Sequence, residues 1–330
     1  MCQYSSEEGM PNEWHRVHLG SRAVGGAALV FTEASAVTRE GRITPWDAGI
    51  WNDGQAEAWA PLSAFVASQG AVPGMQLAHA GRKAGTDVPW RAGGRLAFAD
   101  GGWQPVAPSP IPLEAGGDPP TPLDAQGIRD VVAGFSAAAV RAAGAGFRVV
   151  EIHAAHGYLL HEFLSPLANE RVDEYGGSFR NRARLLIEVV EGIRRVWPEE
   201  LPLWVRISAT DWAEGGWDID ESVELARLLA PLGVDLIDVS SGGTVRHQQV
   251  AIGPGYQVAF AARIRREAGI ATGAVGLITE PEQAEEIIAS GQADVVLLAR
   301  ELLRDPYFPR RAARALGLEP TTPDQYRRAW

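Results

Sequence analysis

Short apolar runs rich in β-branched residues alternate along this chain with longer stretches whose apolar positions recur every three or four residues. The first pattern suits strands buried on both faces, and the second suits amphipathic helices laid against them. The pattern predicts strands at 27–33, 73–78, 147–153, 203–208, 234–240, 270–275 and 294–298. It predicts helices over 12–25, from Asp124 to about Ala143, over 181–196, from an N-cap at Asp220 to just before Gly233, and over 256–267, 281–289 and 306–315. Strands that alternate with helices imply a parallel sheet. Seven strands leave two architectures, an open sheet or a barrel one strand short. The even repetition of βα units favours the α/β class (β/α)8 TIM barrel, in one domain over 1–330. Its first strand is truncated, since only Met1-Cys-Gln-Tyr4 stands in that place. The segment 81–122, rich in Gly, Pro and Trp, is too long for a plain βα connection and reads as a lid-like loop.

Composition narrows the function classes. Acidic residues number 41 against 30 basic ones, for a net charge of -11, which disfavours nucleic acid as a partner. No apolar run is long enough to span a membrane, and the first eight residues lack the basic and apolar regions of a signal peptide. The single cysteine, Cys2, excludes an internal disulfide and suits a reducing cytoplasm.

The most informative stretch is His153-Ala-Ala-His156-Gly-Tyr158, which closes the strand at 147–153. In a parallel barrel that end carries the chemistry. Two imidazoles can hold and polarise one oxygen of a substrate, and a phenol beside them can deliver a proton. A metal reading needs further ligands, for which His79, His161 and Glu151 are candidates. Two histidines satisfied by backbone groups are the third reading. Arg206 lies inside the apolar strand Leu203-Trp-Val-Arg-Ile-Ser208, so it needs an anionic or electron-rich partner. A flavin edge is one such partner, and an ion pair with Asp211 or Asp238 is the other. Gln76 offers a bidentate amide suited to a pyrimidine-like edge or to a core hydrogen bond. Gly276, and Ala299 with Arg300, follow the seventh and eighth barrel positions, where backbone N–H groups commonly bind phosphate. Ordinary turn chemistry and a surface salt bridge are the alternatives there. The end Tyr326-Arg-Arg-Ala-Trp330 joins cations to an aromatic, which also suits a frayed tail.

Taken as a set, the motifs resemble the Old Yellow Enzyme family of FMN ene-reductases, and most of all its bacterial thermophilic-like and xenobiotic reductase class. The carriers run in order over the whole chain: Met1-Cys-Gln-Tyr-Ser-Ser6, Glu33-Ala-Ser-Ala-Val37, Gly41-Arg-Ile-Thr44, Gln76-Leu-Ala-His-Ala-Gly-Arg82, Glu151-Ile-His-Ala-Ala-His-Gly-Tyr158, Glu162-Phe-Leu-Ser-Pro166, Asp173-Glu-Tyr-Gly-Gly-Ser178, Val205-Arg-Ile-Ser208, Thr272-Gly-Ala-Val-Gly276 and Ala299-Arg-Glu-Leu-Leu303. The resemblance implies an NADPH dehydrogenase that uses NADPH or NADH to reduce FMN. Hydride then passes from flavin N5 to the β-carbon of an activated alkene such as an enone, maleimide or nitroalkene. It implies that His153 and His156 bind the substrate oxygen and that Tyr158 protonates the α-carbon. Tyr4 would contact substrate. Met1, Cys2, Ala34, Gln76 and Arg206 would hold the isoalloxazine, while Gly276, Ala299 and Arg300 would hold the phosphate. It further implies a cytoplasmic homodimer or homotetramer, with no membrane or nucleic-acid partner. Its C-terminal arm, 319–330, would bring Arg328 and Trp330 into a neighbour's site. No metal is implied. Family members begin with a further segment that supplies most of the first strand, and here Met1 and Cys2 stand at that strand's end. Two readings of another kind remain for the same residues. One is a metal-dependent barrel hydrolase on His153, His156 and His79. The other is a truncated barrel that retains no flavin.

Overall fold

The alternation resolves, in a computed structural model that describes residues 1–91 and 93–329, into one curled parallel sheet wrapped by helices. Its strands are β1 (Leu29–Ala36), β2 (Val72–Ala78), β5 (Val149–Ala154), β6 (Leu203–Ser208), β7 (Leu236–Ser240), β8 (Ala271–Ala274) and β9 (Val295–Val296), hydrogen-bonded in that order. This is the α/β barrel arrangement, with seven parallel strands among the described residues. β1 and β9 are the edges of that sheet. No strand stands ahead of β1, where an antiparallel bridge between Glu7 and Met10 is the only pairing described before it.

The helices are α1 (Glu13–Val24), α2 (Asp53–Ser68), α3 (Ala125–Gly144), α4 (Leu159–Leu164), α5 (Phe179–Arg194), α6 (Ile219–Leu229), α7 (Val258–Ala268), α8 (Pro281–Ala289), α9 (Arg300–Arg304) and α10 (Phe308–Ala315). Side-chain caps at Asn12, Asn52, Asp124, Ser178 and Asp218 satisfy otherwise unpaired N–H groups of five of them. Three expectations are corrected. Asp218, not Asp220, caps α6, by accepting from Glu221 N. The helix expected over 181–196 begins at Phe179, behind the Ser178 cap. The strand expected over 294–298 keeps sheet pairing only at Val295–Val296. α2 is not among the predicted elements: Pro61 sits inside it, and a proline in a helix interior weakens the helical signal. The segment 81–122 is more than a plain loop. It holds 3-10 turns at Gly81–Lys83 and Phe98–Asp100 and a short parallel pair, β3 (Val106–Ala107) with β4 (Thr121–Pro122).

The main core lies between the outer strand faces and the helices, around Trp59, Phe135, Leu160, Leu186, Val205 and Ile237. The inner faces form a second stack. Strand side chains alternate, so Val149, Glu151 and His153 share the lumen side of β5. Register places Trp204 beside Glu151 and Leu236, Arg206 beside His153 and Asp238, and Gln76 beside Glu151. The lumen is therefore layered. Val149, Trp204 and Leu236 form an apolar floor. Gln76, Glu151, Arg206 and Asp238 make a polar middle. His153, Ser208 and Ser240 stand at the mouth.

Candidate active site

The polar middle layer answers two questions that the sequence leaves open. Gln76 donates its Nε2 to Glu151 Oε1 at 2.6 Å, so half of its amide serves a core hydrogen bond. Arg206 pairs with Asp238, Nε to Oδ2 at 3.1 Å, and not with Asp211. That contact is close enough for charge pairing but is not aligned for a hydrogen bond, and Arg206 Nε has no hydrogen-bond partner. Burial lifts the Glu151 carboxyl to about 8, with the neighbouring Asp238 adding to the rise and Arg206 opposing it. Burial raises the Asp238 carboxyl as well, with Arg206 again opposing.

At the mouth, β5 ends in a turn where His156 takes φ +59 and Gly157 φ +68. His153 Nδ1 accepts from Ala155 N at 3.3 Å, which leaves the proton of the neutral ring on Nε2. That Nε2 lies 3.3 Å from His156 Nδ1, and His156 Nε2 lies 2.7 Å from Ser240 Oγ. Burial first, then the Arg206 charge, holds both imidazoles well below their usual range, so both are neutral. The histidines form a donor chain toward Ser240 and do not present two open N–H groups, a departure from the simple oxygen clamp. The turn is tied to its neighbours on several sides. His156 N donates to Ser208 Oγ at 2.9 Å, and Gly157 N to His161 Nδ1 at 2.9 Å. Lys83 Nζ donates to the carbonyls of His156 and Gly243, both at 2.6 Å. Burial lowers the Lys83 ammonium to about 8.

His79 and His161 do not join the pair. His79 Nδ1 accepts from Gly81 N at 3.1 Å, and His161 Nε2 lies 3.1 Å from Asp211 Oδ1. Among the described residues no group of three His, Cys, Asp or Glu side chains is placed to hold a metal ion.

Tyr158 stands edge-on to His153, ring centroids 5.0 Å apart, with Lys83 Nζ 5.5 Å from its ring. It lines a cavity of about 200 Å³ with Ala34, Ala36, Ile43, Asp47 and Ala80. Burial, then the proximity of Cys2, Tyr4 and Asp47, raises its hydroxyl well above the usual phenol range. Cys2 and Tyr4 are themselves raised by burial, and Tyr4 further by the neighbouring Cys2. Tyr4 also meets Trp90 of the 81–122 segment edge-on at 5.6 Å, which sets that segment at the cavity mouth. Met1 is exposed, and its carbonyl accepts from Gln3 Nε2 at 2.9 Å. Asp47, Lys83, Ser208 and Ser240 are the residues that the sequence reading misses. Thr44-Pro-Trp-Asp47 carries a signal for the first, because Asp47 accepts from Thr44 Oγ1 at 2.7 Å and Ile43 N at 2.7 Å as a turn-closing carboxylate. Burial pushes that carboxyl up to about 7.

Gly276, Ala299 and Arg300 meet at a second cavity of about 350 Å³, formed by the loops after β8 and β9. Arg304 there pairs with Glu301 at 2.5 Å, whereas Arg300 is exposed and makes no ion pair among the described residues. The structure does not bring Arg328 to either cavity. It is exposed, and its segment touches the body where Tyr326 packs on Tyr307, centroids 6.2 Å apart. Trp330 lies outside the described residues.

Comparisons with known proteins give the family and agree with the fold. The model of the NADH:flavin oxidoreductase / NADH oxidase family matches residues 1–319. The chain is 47% identical to the NADPH dehydrogenase of Bacillus subtilis (strain 168), over 100% of this chain and 93% of that protein. It is 48% identical, with the same coverage, to the NADPH dehydrogenase of Listeria innocua. Among solved structures, 2-naphthoyl-CoA reductase aligns with a TM-score of 0.85 at 24% identity, over 96% of this chain and 49% of that one, so the chain spans about half its length. Morphinone reductase in complex with tetrahydroNAD aligns with a TM-score of 0.77 at 26% identity, over 98% and 87%. The Old Yellow Enzyme homologue of Zymomonas mobilis aligns with a TM-score of 0.76 at 27% identity, over 98% and 90%. The chain belongs to the NADH:flavin oxidoreductase / NADH oxidase family, as an FMN-dependent oxidoreductase of the Old Yellow Enzyme type.

Proposed function

We propose that this FMN-dependent oxidoreductase is an ene-reductase, one barrel domain over 1–330 that uses NADPH or NADH to reduce alkenes activated by a carbonyl or nitro group. The residues present fit FMN. Arg206 Nε has no hydrogen-bond partner, and the guanidinium stands on the lumen face between His153 and Asp238, suited to an electron-rich ring edge. Ala34 and Gln76 are register partners on the adjoining strands. Arg300 and the Gly276 loop supply a cavity with a cation for the phosphate. When bound, FMN carries hydride between the nicotinamide and the alkene.

The protein's own part is to bind oxygen and deliver a proton. A substrate oxygen would replace His156 Nδ1 as acceptor of the His153 proton, and His156 would turn its N–H from Ser240 to the same oxygen. Of the two contacts given up, His153 Nε2 to His156 Nδ1 is long for a hydrogen bond at 3.3 Å, whereas His156 Nε2 to Ser240 Oγ is short at 2.7 Å, so the substrate oxygen has mainly the second to replace. Two neutral donors then face the charge that develops on that oxygen. Tyr158 protonates the α-carbon. The observation that carries this reading is the Tyr158 hydroxyl. It is held protonated, lines a cavity, and has no hydrogen-bond partner among the described residues, within one ring contact of the histidine pair. In the same proposal the exposed Arg328 and the arm from residue 319 reach a neighbouring subunit of a homodimer or homotetramer.

Tyr158→Phe tests it. The yellow holoenzyme should bleach with NADPH at the unaltered rate, while reoxidation by cyclohexenone slows by about 100-fold, the usual scale for losing a general acid. Equal slowing of both half-reactions would remove Tyr158 as proton donor.

A further inference from the structure

Glu33, in β1, is buried and has no part in the site as described so far, yet its carboxylate touches the backbone between two residues that do. Gln3 N donates to Glu33 Oε2 at 2.6 Å. The Gln3 amide lies on the peptide link from Cys2, and Tyr4 follows it at φ +49, in the left-handed region. A tyrosine there is strained by about 1 kcal/mol or more and persists only where its surroundings fix it. Besides the Tyr4–Trp90 ring contact, the segment makes further contacts with the rest of the chain. Trp14 Nε1 donates to Gln3 Oε1 at 3.1 Å, Asn12 Nδ2 to Ser5 O at 2.6 Å, and Ser6 N to Trp46 O at 2.9 Å.

Only a carboxylate suits this position. His15 Nδ1 accepts from Asn12 N at 3.0 Å, as part of the α1 capping box. With Nδ1 accepting, Nε2 carries a ring proton and lies 3.0 Å from Glu33 Oε1. Both Glu33 oxygens face N–H donors, one from an imidazole and one from the backbone. A glutamine would set its NH2 against one of them. The other tautomer would give up the Asn12 N contact and turn Nδ1–H to Asn12 Oδ1, 3.1 Å away.

We propose that Glu33, oriented by His15, is a positioning residue that places Cys2 and Tyr4 against the candidate active site. The roles of Cys2 and Tyr4 rest on the ene-reductase reading; their placement by Glu33 does not.

Cys2 is the chain's one cysteine, so its reaction with an aromatic disulfide reagent reports the placement with no turnover. In the FMN-loaded Glu33→Gln variant the thiol should react about tenfold faster or more, since the charged hydrogen bond that holds the segment is lost. The KM for cyclohexenone should rise by about tenfold, with bleaching by NADPH kept within about twofold. Glu33→Asp should recover part of both effects. Faster thiol reaction with an unchanged KM supports the placement and removes Tyr4 from substrate binding. An unchanged thiol rate in a folded, yellow variant overturns the proposal. Should Glu33→Gln fail to fold, hydrogen exchange at the Gln3 amide of the unaltered holoenzyme decides: slow exchange supports the contact, and exchange as fast as a free chain end overturns it.

Discussion

The two ends of the candidate site are built differently. At the chemical end, all six residues of β5 are buried, and the turn after it is held by Ser208, His161 and Lys83 on three sides. At the proposed phosphate end, β9 has two paired residues, both half-buried, and it pairs only with β8 among the described residues. The loop after β8 is held mainly by Gly255 N to Gly276 O at 2.9 Å and Gln257 Nε2 to Val275 O at 2.9 Å. Proton delivery and oxygen binding need donors fixed to a fraction of an ångström. A phosphate is recognised by charge and by several backbone N–H groups, and it tolerates a looser frame. The density of hydrogen bonds follows that division of work.

The sharpest way to break the comparison is to add one methyl group at each end. A Cβ on Gly157 would lie 2.3 Å from the Gly243 carbonyl oxygen, at φ +68, with backbone on both sides. Gly157→Ala should cost about 3 kcal/mol or more in urea unfolding and slow the alkene half-reaction more than tenfold. A Cβ on Gly276, at φ +127, meets Gln257 Nε2 at 2.9 Å and the Tyr256 ring at 3.0 Å, side chains rather than backbone. Gly276→Ala should cost about 1–2 kcal/mol, mostly backbone strain. Equal losses at the two positions would mean that the two ends are equally rigid.

A smaller effect is expected from Arg300→Ala. Removing that cation should weaken FMN binding by about tenfold, read by recovery of free-flavin fluorescence on dilution, because a charged hydrogen bond contributes about 1.5 kcal/mol or more. At saturating FMN the alkene half-reaction should be unchanged. A large drop in that half-reaction would show that the phosphate end also sets the geometry of the chemistry.

The same division explains what was legible in the sequence. Strands β1, β2 and β5 to β8 were readable because both faces of a barrel strand are packed, which leaves long apolar runs. β9 was overestimated because Asp294-Val-Val-Leu-Leu298 has the same apolar run but pairs over only two residues. α2 was hidden by Pro61. Arg206 and Gln76 stood out as polar residues inside apolar strands, and the register explains why: they share the lumen with Glu151 and Asp238. Their partners were not legible, since a contact such as Arg206–Asp238 depends on which strands become neighbours. Ser208 and Ser240 carried no local signal at all, because a serine at a strand end is ordinary until a histidine from another strand reaches it. The motifs that resemble a known family conveyed the family, whereas the donor chain His153–His156–Ser240 appears only in three dimensions.

The smallest effect tests what the dense end costs. Glu162, in α4 beneath the Tyr158 turn, accepts from Arg82 N at 2.8 Å through Oε1, while Oε2 is buried with no partner. Burial raises its carboxyl from 4.5 to about 8, against the opposing pull of Arg82 and Lys83. The folded protein therefore binds this proton more tightly than the unfolded chain does. The resulting stabilisation is full below the unfolded value and is lost as pH rises through about 8. Glu162→Gln keeps an acceptor for Arg82 N and cannot ionise, so whatever fixed offset it introduces is the same at every pH. Between pH 5 and 8 the unfolding free energy of the wild type should fall more steeply than that of the variant, by at most about 1.4 kcal/mol per pH unit, the limit for one proton. Asp47 and Glu151 titrate in both proteins and cancel in the difference, whereas Lys83 loses the support of the Glu162 charge in the variant. At the other end, Glu301→Gln removes only a contact with a largely exposed arginine and should change stability by less than about 1 kcal/mol. Parallel curves for Glu162→Gln and the wild type would mean that the carboxyl is already ionised under the turn. The Lys83 clamp would then be held by a full counter-charge, and the chemical end would be rigid through electrostatics as much as through hydrogen bonds.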